Sequence, residues 1–154
     1  MIDVYSCFPV AVQIACRELG FDMNRPLTVT GGLTFAGGPL NNYVMHSIAR
    51  MAQLLRENPG KRGMITANGG YITKHAFGIY SSEPPAQPFQ HADLQNQVDA
   101  ELKRDVVIEH QGTGTVEGYS LMYGPEGVTK ALFAARLADG QRAWGTSEDV
   151  DLLQ

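Results

Sequence analysis

At 154 residues, with 44% hydrophobic and 18% charged residues, the chain has the make-up of one globular domain, or one with a small second one, and not of a disordered polypeptide. A net charge of −4, a pI near 5.5 and no clustered Lys/Arg stripe exclude broad nucleic-acid or anionic-membrane binding. No apolar run reaches membrane-span length, Met1-Ile2-Asp3 is not a basic leader start, and Cys7 and Cys16 form neither a C-x-x-C pair nor a metal-ligand cluster, so reduced cysteines, no bound metal and a cytoplasmic location are expected.

Asp3 to Tyr5 reads as the tail of a strand that feeds a first helix. Ser6 is placed to cap that helix and Pro9 lies in its first turn. Phe8, Val12, Ala15 and Leu19 then recur at helical spacing, and Gly20 stops the element. Leu27 to Thr30 is expected to be a short strand. A glycine-dense loop follows, with Gly31-Gly32 and Gly37-Gly38-Pro39, and ends at Asn41-Asn42. A second helix is predicted from about Asn42 to Asn58, with Val44, Ile48, Met51, Ala52 and Leu55 on one face and Asn58-Pro59-Gly60 as its stop. Gly63 to Ala67 reads as a short buried strand. Tyr71 to Ala76 is expected to form a helical turn, and a strand then ends at Ser81. Alternating strands and helices indicate a parallel α/β unit.

Glu83-Pro84-Pro85-Ala86-Gln87-Pro88 is the clearest boundary, because closely spaced prolines stiffen and extend the chain. Beyond it, a short polar helix with Leu94, Val98 and Leu102 leads to Val106-Val107-Ile108. Thr115 to Tyr123, Val128 to Leu137 and Gln141 to Thr146 follow as short strands, separated by Gly124-Pro125-Glu126-Gly127 and Asp139-Gly140 turns. They predict a small antiparallel β module, barrel-like in character. The expected organisation is an α/β domain at 1–82, a linker with a short helix at 83–104 and the β module at 105–154.

Two glycine loops at the ends of successive strands suggest a ligand site, since backbone N–H groups and a helix N-terminus can face one anionic group. The expected ligand-binding positions are Gly37, Gly38 and Asn42 in the first loop and Asn68, Gly69 and Gly70 in the second. Tyr5, Tyr71, Lys74 and His75 are the polar side chains that chemistry there would use, with His75 suited to neutral-pH proton transfer. Each has an ordinary alternative: turn geometry for the glycines, packing for Tyr71, a structural hydrogen bond for His75 and helix capping for Asn41 and Asn42. His46 reads as structural, and His91 and His110 as surface residues. Tyr119 and Tyr123 could suggest a nucleic-acid stacking platform, which the acidic charge disfavours.

Tyr5-Ser6-Cys7-Phe8, Gly37-Gly38-Pro39 and Ala67-Asn68-Gly69 carry a further likeness. The stretch from Ile2 to Ser81 resembles the C-terminal half of the thiolase superfamily, in the acetyl-CoA acetyltransferase group related to sterol-carrier-protein thiolases. The tail resembles the additional C-terminal β domain of type 1 thiolase-like proteins. The resemblance places the family's Asn-Glu-Ala-Phe or His-Asp-Cys-Phe motif on Tyr5 to Phe8, its Gly-His-Pro loop on Gly37 to Pro39, and its Cys-x-Gly loop on Ala67 to Gly69. Gly38 then stands where the family has its catalytic His, and Ala67 where it has its acid/base Cys. The nucleophilic Cys belongs to the N-terminal half.

The resemblance thus implies an acyltransferase-family protein, a piece of a longer protein. It would bind acyl-CoA thioesters as substrate or ligand, with no tightly bound cofactor. The missing N-terminal thiolase half, or a second copy of the chain, would be its partner. It also implies no ordinary thiolysis by this chain alone, since one lost oxyanion donor costs about two to three powers of ten in rate. One alternative is a thiolase-fold aldolase component that acts on hydroxyacyl-CoA through its tyrosines, with a partner protein. Another is a non-catalytic assembly subunit.

Overall fold

The computed structural model describes residues 1–149 and divides the chain into two compact units, Met1–His91 and Ala92–Gln154. The first unit runs β1 (Ile2–Asp3), α1 (Pro9–Leu19), α2 (Leu33–Ala36), a 3₁₀ turn (Leu40–Asn42), α3 (Tyr43–Glu57), β2 (Arg62–Gly69) and β3 (Lys74–Ser81). Its sheet has the order β1-β2-β3, with β1 parallel and β3 antiparallel to β2.

Helix α3 packs on β2 through Met51, Leu55 and Ile65, with Met1, Val29, Val44, Ile48 and Tyr80 around them. Gly63 makes that contact possible, because a Cβ there would fall 2.3 Å from the Met51 Sδ. The buried stripe of α3 is Tyr43, Ser47, Met51 and Leu55, spaced four apart. Two of the four are polar because Asp3 meets them from β1. The fully buried Asp3 carboxylate accepts hydrogen bonds from Ser47 Oγ (2.7 Å) and Tyr43 Oη (3.1 Å) on one oxygen. Its other oxygen accepts from Thr28 Oγ1 (2.8 Å), the Val29 N–H (2.9 Å) and Thr30 Oγ1 (3.2 Å). A buried charge is tolerated when it is hydrogen-bonded throughout in this way. Burial is the main cause that pushes the Tyr43 phenol above its ordinary pKa, against the hydrogen bond it shares with Thr30.

The same carboxylate explains why Leu27 to Thr30 is not a strand. Val4 N–H bonds the Leu27 carbonyl at 2.8 Å, but the next three residues wrap around Asp3 instead of continuing a ladder. Tyr71 to Ala76 also departs from expectation. It is not a helical turn but the end of a β2–β3 hairpin, in which Gly70, Tyr71 and Ile72 all have positive φ (57°, 57° and 66°). Ser6 does not cap α1. Phe8 holds the N-cap position without a side-chain bond, and Pro9 opens the helix as predicted.

The second unit carries α4 (Gln95–Asp99), β4 (Val106–Val107), β5 (Thr115–Gly124), β6 (Gly127–Arg136) and β7 (Arg142–Ser147). Its sheet has the order β4-β7-β6-β5. β5, β6 and β7 are antiparallel, as the turn signals predicted, and β4 joins β7 in parallel. Among the described residues, Ala131, Ala134, Ala135, Leu137 and Ala143 are its buried apolar residues. On β5, Val116 pairs with Ala135 and Gly118 with Ala134, so Glu117 is the extra residue of a β-bulge. The expectation for residues 150–154 lies outside the described residues.

Candidate functional site

The loop after β1 is the hub of the α/β unit. Tyr5 N–H donates to Thr66 Oγ1 on β2 at 2.9 Å, and the Tyr5 ring meets Tyr43 edge-on with centroids 5.3 Å apart. Ser6 Oγ accepts the N–H of Leu33 at 3.1 Å, which gives the short helix α2 a cap from a distant residue. The Cys7 thiol donates to Asn68 Oδ1 at 3.3 Å. Three consecutive residues thus fasten the two predicted glycine loops to the end of β1.

Asn68 is the meeting point. With Oδ1 occupied by the thiol, its amide N–H groups keep their donor capacity, and no described hydrogen bond uses them. His75 pairs directly across from Asn68 in the hairpin register, on the same face of the sheet. It is exposed, its Nε2 lies 2.9 Å from the Ile72 carbonyl, and its ring stacks with Phe77 at 6.4 Å. Tyr71 is at the turn, 92% exposed, and is not gathered with Tyr5. Both cysteines are free thiols.

The glycine loops consume many of their own donors. Gly32 N–H bonds the hydroxyls of Thr28 and Thr30, and Gly37 N–H bonds the Leu33 carbonyl. Leu40 N–H returns to the Gly38 carbonyl at 2.7 Å over Pro39, an inverse γ-turn, and Asn42 N–H bonds the Pro39 carbonyl. Asn42 precedes α3 but makes no side-chain cap, because its backbone is already helical (φ −105°, ψ −5°). The second loop turns into a strand and offers no helix N-terminus.

Glycine itself is required at Gly31, Gly32, Gly37 and Gly70, whose φ values are 88°, 77°, 78° and 57°. A Cβ on Gly32 would also stand 2.7 Å from Ser6 Oγ. Gly38 and Gly69 are different: a Cβ would meet only the Leu33 Cδ2 at 4.0 Å in the first case and nothing in the second. Asp3, Ser6 and Thr66, which position the site, were not among the predicted site residues. Their partners lie 25 to 61 residues away, so no local spacing reports them.

Among the described residues, no group of three or more His, Cys, Asp or Glu is placed to hold a metal ion, and no helix is long and apolar enough to cross a membrane. What the arrangement offers chemically is a thiol-anchored amide beside an imidazole.

Comparison with known proteins bears on both units. Residues 93–154 match the family described as thiolase-like protein type 1 additional C-terminal domain. Over 99% of its length the chain matches the crystal structure of a monomeric SCP2-thiolase like protein type 1 from Mycobacterium smegmatis, with a TM-score of 0.88 and 38% sequence identity. The chain spans 34% of that protein, about a third of its length. No curated protein matches the sequence.

Proposed function

We propose, from the premise that this is a thiolase-like protein, that its α/β unit contributes one wall of an acyl-CoA thioester site and does not itself carry out thiolysis. The observation that supports this most is the fastening of Tyr5-Ser6-Cys7 to both glycine loops, above all the hydrogen bond from the Cys7 thiol to Asn68. In the family these stretches surround the thioester. Asn68, with its amide N–H groups uncommitted, is the donor for the thioester carbonyl, a neutral partner for a polarised oxygen. Gly38 and Ala67 bring no acid, base or imidazole to the positions where the family's catalytic His and Cys stand, so the carbonyl is held and no carbanion is generated.

Titration calorimetry with acetyl-CoA tests this reading. Binding should weaken about tenfold, one hydrogen-bonded contact's worth, in both Asn68→Ala and Gly69→Val, and stay unchanged in Tyr119→Ala on the β module. A coupled assay with acetoacetyl-CoA and CoA should show background turnover alone. Equal binding by all variants would remove the site from these loops, and turnover abolished by Cys7→Ala would restore a catalytic role.

A further inference from the structure

We propose that the Arg136 end of the β module is a binding site for a phosphate-bearing small molecule, independent of the acyl-CoA reading of the α/β unit. The bulge in β5 turns Glu117 into a group of three arginines. Arg104 Nη1 reaches one carboxylate oxygen at 2.5 Å, and Arg142 reaches the other through Nη2 at 2.9 Å and Nε at 3.0 Å. These two complete the clamp, and the guanidinium of Arg142, with that of Arg104 behind it, holds the Glu117 carboxyl below its usual range. Three guanidinium groups around one carboxylate leave an excess of two positive charges, in a chain whose net charge is −4.

Arg136 is the member the clamp does not need. Its Nε is 3.9 Å from Glu117, too far for a hydrogen bond, its side chain is 53% exposed, and no other described hydrogen bond engages its guanidinium. Arg136 is one of the residues that line an open cleft of about 630 Å³, with Thr113, Gly114, Thr115, Leu137, Ala138 and Gly140. Among the described residues no carboxylate lines this cleft, and Asp139 in the adjoining turn accepts the Gln141 N–H at 3.0 Å. Gly114 lies flat on the end of β6, where a Cβ would stand 3.1 Å from the Ala135 Cβ and 3.2 Å from the Arg136 carbonyl. The cleft is thus lined by an arginine that makes only a long ion pair, by two threonines and by two glycines.

A guanidinium fork matches two oxygens of a phosphate, and a doubly charged phosphate matches the surplus of two charges better than a single carboxylate does. The basic group is confined to one end of one sheet. It does not form the extended track that a nucleic-acid backbone requires.

The test uses the full chain and inorganic pyrophosphate at low salt, followed by calorimetry and amide-resolved NMR. Binding should be saturable, with shifts concentrated at 113–115 and 136–140. Arg136→Gln should weaken it about tenfold or more, and Arg136→Lys, which keeps the charge but loses the fork, several-fold. Arg50→Gln, an exposed arginine of the other unit, should bind like the wild type. Unchanged affinity in Arg136→Lys together with Arg136→Gln, shifts elsewhere, or no saturation by roughly 10 mM would each overturn the proposal. A single-stranded oligonucleotide that binds more tightly than pyrophosphate and depends on Arg136 would overturn the small-molecule assignment.

Discussion

Gly63 and Gly69 lie on the same strand and have opposite prospects. An added methyl group at 63 would collide with Met51, which is completely buried between α3 and β2, whereas at 69 it would meet nothing within 4 Å. Overpacking of this kind costs about 1–3 kcal/mol, so Gly63→Ala should lower the urea midpoint clearly while Gly69→Ala shifts it by less than about 0.5 kcal/mol. Equal effects at the two positions would mean that Met51 is not seated as described. Ile72 makes the opposite case. A β-branched residue at φ 66° is unfavourable by about 1–2 kcal/mol, and asparagine tolerates that conformation better. Ile72→Asn should therefore raise stability by about 0.5–1 kcal/mol in the same denaturation assay.

At the scale of elements, what could be read from sequence depended on how local the determining contacts were. The 3.6-residue periodicity and the Pro59-Gly60 stop located α3 to within a residue, and Gly20 ended α1 as expected, with φ 67°. The predicted apolar face of α3 missed Ser47, since the acceptor that justifies burying its hydroxyl is Asp3, 44 positions earlier. The β2–β3 turn was misread because Tyr71 and Ile72 are poor signals for left-handed backbone. Of the site, the three motif stretches were legible, and their mutual contacts were not.

The bulge at Glu117 was equally hidden, yet it yields a pH prediction. The Glu117 carboxyl is held below its ordinary range, by the hydrogen bond from Arg142 first. In the window below about pH 4.3, the ordinary glutamate value, the unfolded chain takes up a proton that the folded module refuses, so stability falls as pH falls toward the lowered value. Glu117→Gln should flatten this acid limb. Unfolding midpoints for both proteins between about pH 2.5 and 6 will check it, and parallel curves would show that the clamp carries no such linkage.

Across the whole molecule, the two units differ in how far apart in sequence their contacts are. The sheet of the second unit is built mainly from neighbouring strands joined by short turns, β5 to β6 and β6 to β7. In the first unit the opening residues reach across the chain. The N-terminal amine donates to the Arg62 carbonyl, Tyr5 to Thr66 and Cys7 to Asn68, each 61 residues away.

That separation has a consequence for the order of assembly. Hairpins close small loops quickly, whereas joining residues 61 apart carries a larger loop-closure entropy and waits until the intervening chain is ordered. Loop-closure entropy alone therefore predicts that the β1–β2 pairing forms after the β2–β3 hairpin. Native-state hydrogen exchange should find the Val4 and Tyr5 amides opening at lower free energy than those at the centre of the β2–β3 ladder. Because Tyr5, Ser6 and Cys7 are the residues that gather the glycine loops, the candidate site depends on contacts that span 27 to 61 residues of chain and not on either loop alone.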